Sequence, residues 1–306
     1  MADDSQGALT KMAVSAGSSP YTWNNAAERY EFDYEDLAKK GRIVGGRGIS
    51  GSRSSRSERT RTGQYEVGGR IAMKISPNDM EKWLPRIFGG ALTNSAVALA
   101  ETIPSFGVLV NRVADTFEYQ NCYVNRAVLR GKAGPNDEEP EVLDLILDVV
   151  AKDESTSPTW PVSEPALGVG GDDAPFIFSD LTLSLKSGNR CCTEFALMVD
   201  NHLESRFCNS LTATSITPAD RTVLLRAVTP FTSDEVDLYG QALAGSTATL
   251  NLTNGNTSTT FTFATLQTPD QSPTVKGKRS IPLILDMVAR QVNTTKEISA
   301  TVDSTV

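Results

Sequence analysis

One histidine, His202, stands in 306 residues. That scarcity excludes a His-rich metal site and leaves histidine catalysis a single candidate. His202 lies in DNHLESR, near Asp200 and Glu204, where a carboxylate could orient an imidazole as a general base. With no other site signal around it, the plainer reading is a polar residue at a strand end. Cysteines number four: Cys122, Cys191, Cys192 and Cys208. Their spacing suits neither a disulfide framework nor a CxxC metal site. It fits reduced thiols of a protein made in a cytoplasm. No run approaches the ~18 apolar residues of a membrane span. The N-terminal MADDSQGALTK is acidic and has no apolar core, so no secretory signal is expected. GxSxG and GxGxxG are absent. Gly168–Gly171 in LGVGGDD is not followed by Lys-Ser/Thr, so it is no phosphate-binding loop. The sequons at Asn251, Asn256 and Asn293 carry no meaning without secretion. The carboxylates at Asp137–Glu139 and Asp172–Asp173 could meet a divalent cation, but they read more simply as solvated loops.

What is present is periodicity. Over GQYEVGGRIAMKIS, Tyr65, Val67, Ile71, Met73 and Ile75 take one face and Gln64, Glu66, Arg70 and Lys74 the other, the period of a half-buried strand. The period then changes. Ser76 fits an N-cap, Pro77 the first helical position and Asp79 the third. Met80, Trp83, Leu84, Ile87 and Phe88 follow as one helical stripe. Pro85 should bend or shorten that helix, and Gly89-Gly90 can end it. Strands are predicted around Phe106–Val110 and over 121–131, with a turn near Ala114-Asp115. In the second half, 174–189, 192–207 and 221–228 read as strands. Thr232 with Glu235 makes a capping box ahead of a stripe of Val236, Tyr239 and Leu243, which predicts a second helix. A hairpin is centred on Asn254-Gly255.

The two halves echo each other. LILDVVAKD at 145–153 returns as LILDMVARQ at 283–291, and FDYEDL at 32–37 resembles FIFSDL at 176–181. In each half a strand enters a capped helix, a hairpin follows, and LILD-x-VA closes the unit. The order predicts a tandem duplication: an N-terminal arm over 1–31, a first domain over 32–154, a Pro/Gly-rich linker over 155–172 and a second domain over 173–306.

Charge is unevenly spread. The net charge of −8 argues against general nucleic-acid binding, which rests on phosphate neutralisation. Yet Arg47, Arg53, Arg56, Arg59, Arg61 and Arg70 crowd one region. Residues 45–63 read as a mobile loop or a long exposed hairpin. Few aromatics accompany these arginines, so single-strand stacking is not expected. Docking onto an acidic neighbour in an assembly is the favoured reading.

The strand-to-helix unit near 65–90, PFIFSDLTLSL, EFALMVDNHLESR and VKGKRSIPLILDMVARQ together resemble the tail tube proteins of long-tailed bacteriophages with non-contractile tails. The resemblance covers residues 30–300. It implies a mainly β fold with two tandem tail-tube-type β-sandwich or barrel domains, each with a flanking short α-helix. In that family such domains join edge to edge into rings around a lumen that passes double-stranded DNA, and rings stack through a long loop or arm. The resemblance implies a non-enzymatic virion protein with no cofactor and no membrane contact, assembled in the bacterial cytoplasm. Its partners would be itself, a tape measure protein and a tail terminator, with DNA passing unbound. Two domains per chain predict a trimeric pseudo-hexameric ring; a true hexamer is the alternative. Arg53, Arg56, Arg59 and Arg61 are expected at an inter-ring or inter-subunit contact, away from the lumen. A head–tail joining ring protein shares these features. A carbohydrate-binding or carbohydrate-processing sandwich would need clustered aromatics, whereas Trp23, Trp83 and Trp160 lie far apart.

Overall fold

The computed structural model describes residues 7–21, 23, 27–45, 54, 57–134, 141–156, 159–160, 174–186, 188–233, 236–238, 245–269, 272–275 and 280–304. Strands in the first half are Lys11–Ala16 (β1), Glu28–Tyr30 (β2), Tyr34–Glu35 (β3), Ala38–Lys40 (β4), Ile43–Gly45 (β5), Thr60–Thr62 (β6) and Glu66–Lys74 (β7). The helix Pro77–Phe88 (α1) follows, then Ala96–Ala98 (β8), Phe106–Asn111 (β9), Thr116–Lys132 (β10), Asp144–Ala151 (β11) and Asp153–Thr156 (β12). The second half contributes Leu181–Leu185 (β13), Gly188–Arg190 (β14), Glu194–Asp200 (β15), Leu203–Arg206 (β16), Ser215–Pro218 (β17) and Thr222–Pro230 (β18). It ends with Ser246–Asn254 (β19), Thr257–Gln267 (β20), Pro282–Arg290 (β21) and Ile298–Asp303 (β22).

Alternation drives the architecture. In β11 and β15 every second residue is buried, so each strand gives one face to the core and one to its surroundings. These strands assemble into a large antiparallel sheet in the order β3/β4–β7–β11–β10–β15–β18–β21. Across the core lie β2–β1–β9–β10–β12 and β14–β13–β19–β20–β22–β8. The long strands β10 and β20 belong to both layers. The fold is thus mainly β, as expected.

The pairings of the first half return in the second at fixed shifts. Tyr34↔Ala72 and Ala38↔Gly68, between β3/β4 and β7, become Glu194↔Val228 and Met198↔Leu224 between β15 and β18. The shift is 160 residues on one strand and 156 on the other. The same two shifts carry the ribbon pair Ile43↔Thr62 onto Leu203↔Pro218. Arg70↔Asp148 likewise becomes Arg226↔Asp286, which places the aspartates of the two LILD phrases opposite an arginine each time. FDYEDL and FIFSDL are not counterparts. The first lies beside β7, whereas the second leads into β13, which pairs with β19 across the core. The counterpart of FDYEDL is 192–197.

Helix α1 forms as its sequence predicts. The Ser76 hydroxyl accepts from the Asp79 N–H at 3.2 Å, and Gly89 closes the helix at φ 83°. Pro85 does not shorten it: the helix runs on to Phe88. Trp83 is fully buried, 5.2 Å from the Tyr30 ring and edge-on to Phe106 at 5.8 Å. Phe88 reaches Phe261 of the second half at 6.5 Å, so one core joins both halves. In the second half the described residues hold only a 3-10 turn, Val236–Leu238, where the stripe predicts a helix. Glu235, Tyr239 and Leu243 lie outside the described residues, as does most of the 155–172 linker.

Candidate functional site

The open face of the large sheet carries the molecule's most ordered chemistry. Side chains facing inward, among them Ile71, Leu147, Ala127, Val199 and Leu225, are buried. Their neighbours along each strand face outward and fall into rows across the sheet. One row reads Arg70, Asp148, Arg126, Asp200, each directly opposite the next. Asp148 accepts from Arg70 Nε at 2.7 Å and from Arg126 Nε at 2.7 Å. A second row reads Lys74, Asp144, Arg130, Ala196, Arg226, Asp286. Lys74 bonds Asp144 and stands 3.5 Å from Asp33, Arg130 reaches Asp144 at 3.2 Å, and Arg226 stands 3.9 Å from Asp286. Between these rows runs an apolar one of Ala72, Ile146, Val128, Met198, Leu224 and Val288, half-buried from Ile146 onward.

Charges in the rows nearly cancel. Each cation has an acidic neighbour in its row, and like charges directly opposite would repel. The hydrogen bond and charge of Asp148 hold Arg70 above its ordinary pKa. Burial pulls Lys74 down, but its hydrogen bond and attraction to Asp144 outweigh that and raise it. Both shifts favour the charged forms of Arg70 and Lys74. Exposed pairs of this kind add little to stability, so their larger effect is on what the face offers to a ligand.

Of the arginines singled out in the sequence, Arg59 and Arg61 are exposed, Arg59 in the 3-10 turn Ser57–Arg59 and Arg61 in the two-stranded ribbon β5–β6, opposite Val44. Arg53 and Arg56 lie outside the described residues. The ribbon continues β4 and β7 past the end of the sheet, joined by Gly63 N–H to Arg42 O at 2.8 Å. Ile43 on it is 82% exposed, an apolar side chain without cover in the isolated chain. Its counterpart β16–β17 leans back on the first half: Tyr65 N–H donates to Leu211 O at 3.1 Å and Gln64 Nε2 to Ser210 O at 3.2 Å.

His202 sits exposed in a left-handed turn (φ 43°), its Nδ1 3.5 Å from Asp200 Oδ1 and its Nε2 3.2 Å from Thr222 Oγ1. Its neighbour Asn201 is the residue that sequence reasoning missed. Asn201 is 1% exposed and donates from Nδ2 to Ile87 O and Val124 O, both at 3.1 Å, tying β15 to α1 and β10. A second unforeseen cluster joins Arg86 to Glu28 at 2.9 Å and to Tyr30 Oη at 3.1 Å. No local signal in the sequence marks either. The four cysteines are free thiols, and burial pushes Cys122 far up from the ordinary thiol range. Among the described residues no three His, Cys, Asp or Glu side chains gather as a metal site would require, and no helix is long and apolar enough to cross a membrane.

The strand pairings, the charged sheet face and the projecting ribbon define a mainly β protein. The family model of the phage tail tube protein matches residues 7–299, nearly the whole chain, and the chain belongs to that family. It is a structural component of the phage virion that assembles with itself into the tail tube. No curated protein matches the chain.

Proposed function

We propose that this chain forms rings that stack into the tail tube, with the open face of the large sheet lining a lumen through which double-stranded DNA passes into the host cell. The observation that carries this reading is the charge cancellation along Arg70–Asp148–Arg126–Asp200. DNA presents one negative charge per about 1.7 Å of its axis. A basic wall would hold it at every ring by counterion release; a wall of paired charges lets it slide.

Two tandem tube domains per chain, over 32–154 and 173–306, make three copies sufficient for one pseudo-hexameric ring. The repeated strand registers support this count over a true hexamer. Residues 155–172 serve as a linker, whereas β1 and β2 within residues 1–31 pair into the sheet across the core and bury Met12, Val14 and Tyr30 there. The ribbon bearing Arg61, with Arg59 just before it, continues strands that run along the lumen wall, so it points toward the neighbouring ring, where Arg53, Arg56, Arg59 and Arg61 make contact. On this reading its further partners are a tape measure protein and a tail terminator, and it assembles in the bacterial cytoplasm. Electron microscopy of the purified chain tests the proposal. Stacked rings with a central hole are expected. Isolated rings that never stack would favour a head–tail joining role, and monomers without holes would overturn both.

A further inference from the structure

The two halves build the same corner of the molecule from opposite chemistry. In the first half Glu35 of β3 points inward, its side chain 7% exposed, and meets Arg112 from the β9–β10 turn. Arg112 Nε and Nη2 each donate to one Glu35 oxygen at 2.8 Å, and Nη2 also reaches Leu37 O at 2.7 Å. Tyr119 Oη donates to the same carbonyl at 2.7 Å. The guanidinium lies 4.8 Å from the centre of the Phe117 ring. β3 and the β9–β10 hairpin belong to facing layers, so this fork joins the layers. The turn that supplies it is strained. Ala114 N–H donates to Arg112 O at 2.8 Å, and Val113 between them, a β-branched residue, stands at φ 69°.

The repeat shows what stands there in the second half. The shifts that carry β3 onto β15 turn Glu35↔Ile71 into Phe195↔Ala227. Tyr119↔Val108 becomes Phe263↔Ala248, and Phe117↔Val110 becomes Phe261↔Leu250, a shift of 144 residues on β10 and 140 on β9. The same two shifts carry the bond from Arg112 N–H to Asp115 O, which closes the turn, onto the pair Leu252↔Thr259. Glu35, Arg112 and Tyr119 thus correspond to Phe195, Leu252 and Phe263, all three fully buried. The apolar corner belongs to β15, whose outer side is covered by β10. The charged corner belongs to β3 and β4, whose outer side carries no strand among the described residues.

We propose that the Glu35–Arg112 pair determines the specificity of this open edge: it holds Tyr34–Lys40 on β7 in a single register and keeps an unassembled chain from pairing through that edge with wrong strands. Stability alone does not ask for it, since apolar residues in the place of a buried ion pair are often as stabilising or more so. Placement does. β3 meets β7 through two residue pairs, Tyr34↔Ala72 and Glu35↔Ile71, and a slip of one residue turns every side chain to the other face. Glu35 would then leave its fork. An inward-pointing charge is one of the means by which sheet edges resist unwanted pairing, and a bidentate guanidinium–carboxylate contact adds geometric selection. This role presupposes self-assembly into a tube, which the family carries, and no particular number of copies per ring.

The experiment writes the corner of the second half into the first: Glu35→Phe with Arg112→Leu, keeping Tyr119, whose hydroxyl still serves Leu37 O. Denaturant unfolding of the isolated chain, light scattering of the dilute chain and electron microscopy of assembled tubes are compared with the parent. The expected result is an unfolding midpoint no lower than the parent's, with several-fold more scattering from irregular aggregate and several-fold fewer tubes. Tubes and scattering equal to the parent's would overturn the proposal. A parent that forms no tubes would tell against the tube reading, while the scattering comparison still decides the role of the pair. Should the double variant not fold, Arg112→Ala read by native-state hydrogen exchange decides. Faster exchange confined to 34–40 supports the pair as the lock of the edge; an equal rise throughout the chain overturns it.

Discussion

Asn201 shows how much one buried amide can hold. Its two N–H groups satisfy carbonyls of α1 and β10, and the Ile87 carbonyl is one of the last-turn groups a helix cannot satisfy internally. Asn201→Ala leaves both carbonyls buried without that donor, which should cost about 1–3 kcal/mol. Denaturant unfolding of the isolated chain reads this as a lower midpoint at unchanged slope; an unchanged midpoint would deny the amide that role. Glu28 makes a pH-dependent case. Burial alone would raise its pKa, but the charge of Arg86 and the hydrogen bonds from Tyr30 and Arg86 lower it overall. A carboxylate depressed in the folded state stabilises above the ordinary carboxylate pKa of about 4.3, and that stability is lost as pH falls through the folded value. Glu28→Gln should therefore be less stable than the parent at pH 7, by up to about 3 kcal/mol, with the gap closing at acid pH. A gap that stays constant from pH 7 to pH 3 would mean that packing, not charge, is responsible.

At the scale of elements, the β5–β6 ribbon tests the proposed contact between rings. A lone two-stranded ribbon is marginal in water, and this one exposes Ile43 and Val44. Replacing Arg53, Arg56, Arg59 and Arg61 with Ser should leave monomer unfolding within about 0.5 kcal/mol of the parent while impairing tube assembly in a sedimentation assay. Tubes that form normally and bind DNA less would overturn the contact. Strands and helix were legible in the sequence where alternation or a capped stripe ran unbroken, as in β7, β11 and α1. Their partners were not. FDYEDLAKK and its structural counterpart CTEFALMVD share only the leucine at Leu37 and Leu197. Edge pairing is made by backbone groups that leave little trace in side-chain choice. FDYEDL resembles FIFSDL more closely, yet the two phrases serve different sheets. The charge rows were invisible for a similar reason: Arg70, Asp148, Arg126 and Asp200 become neighbours only once the register is known.

For the whole molecule, the repeat turns sequence echoes into symmetry. LILD ends in an aspartate in both halves because that position faces an arginine across the strand, Arg70 once and Arg226 once. The same shifts relate the flanking strands and the ribbons, while one core runs through both halves. The family establishes a tube; under the proposed ring assembly, the repeat argues for three chains per ring. The most direct test is a high-resolution electron-microscopy reconstruction of tubes grown from the purified chain. The account predicts three copies per ring, with the Arg70–Asp148–Arg126–Asp200 row facing the lumen and both halves lining it. Six copies per ring with only one half of each at the lumen would contradict it.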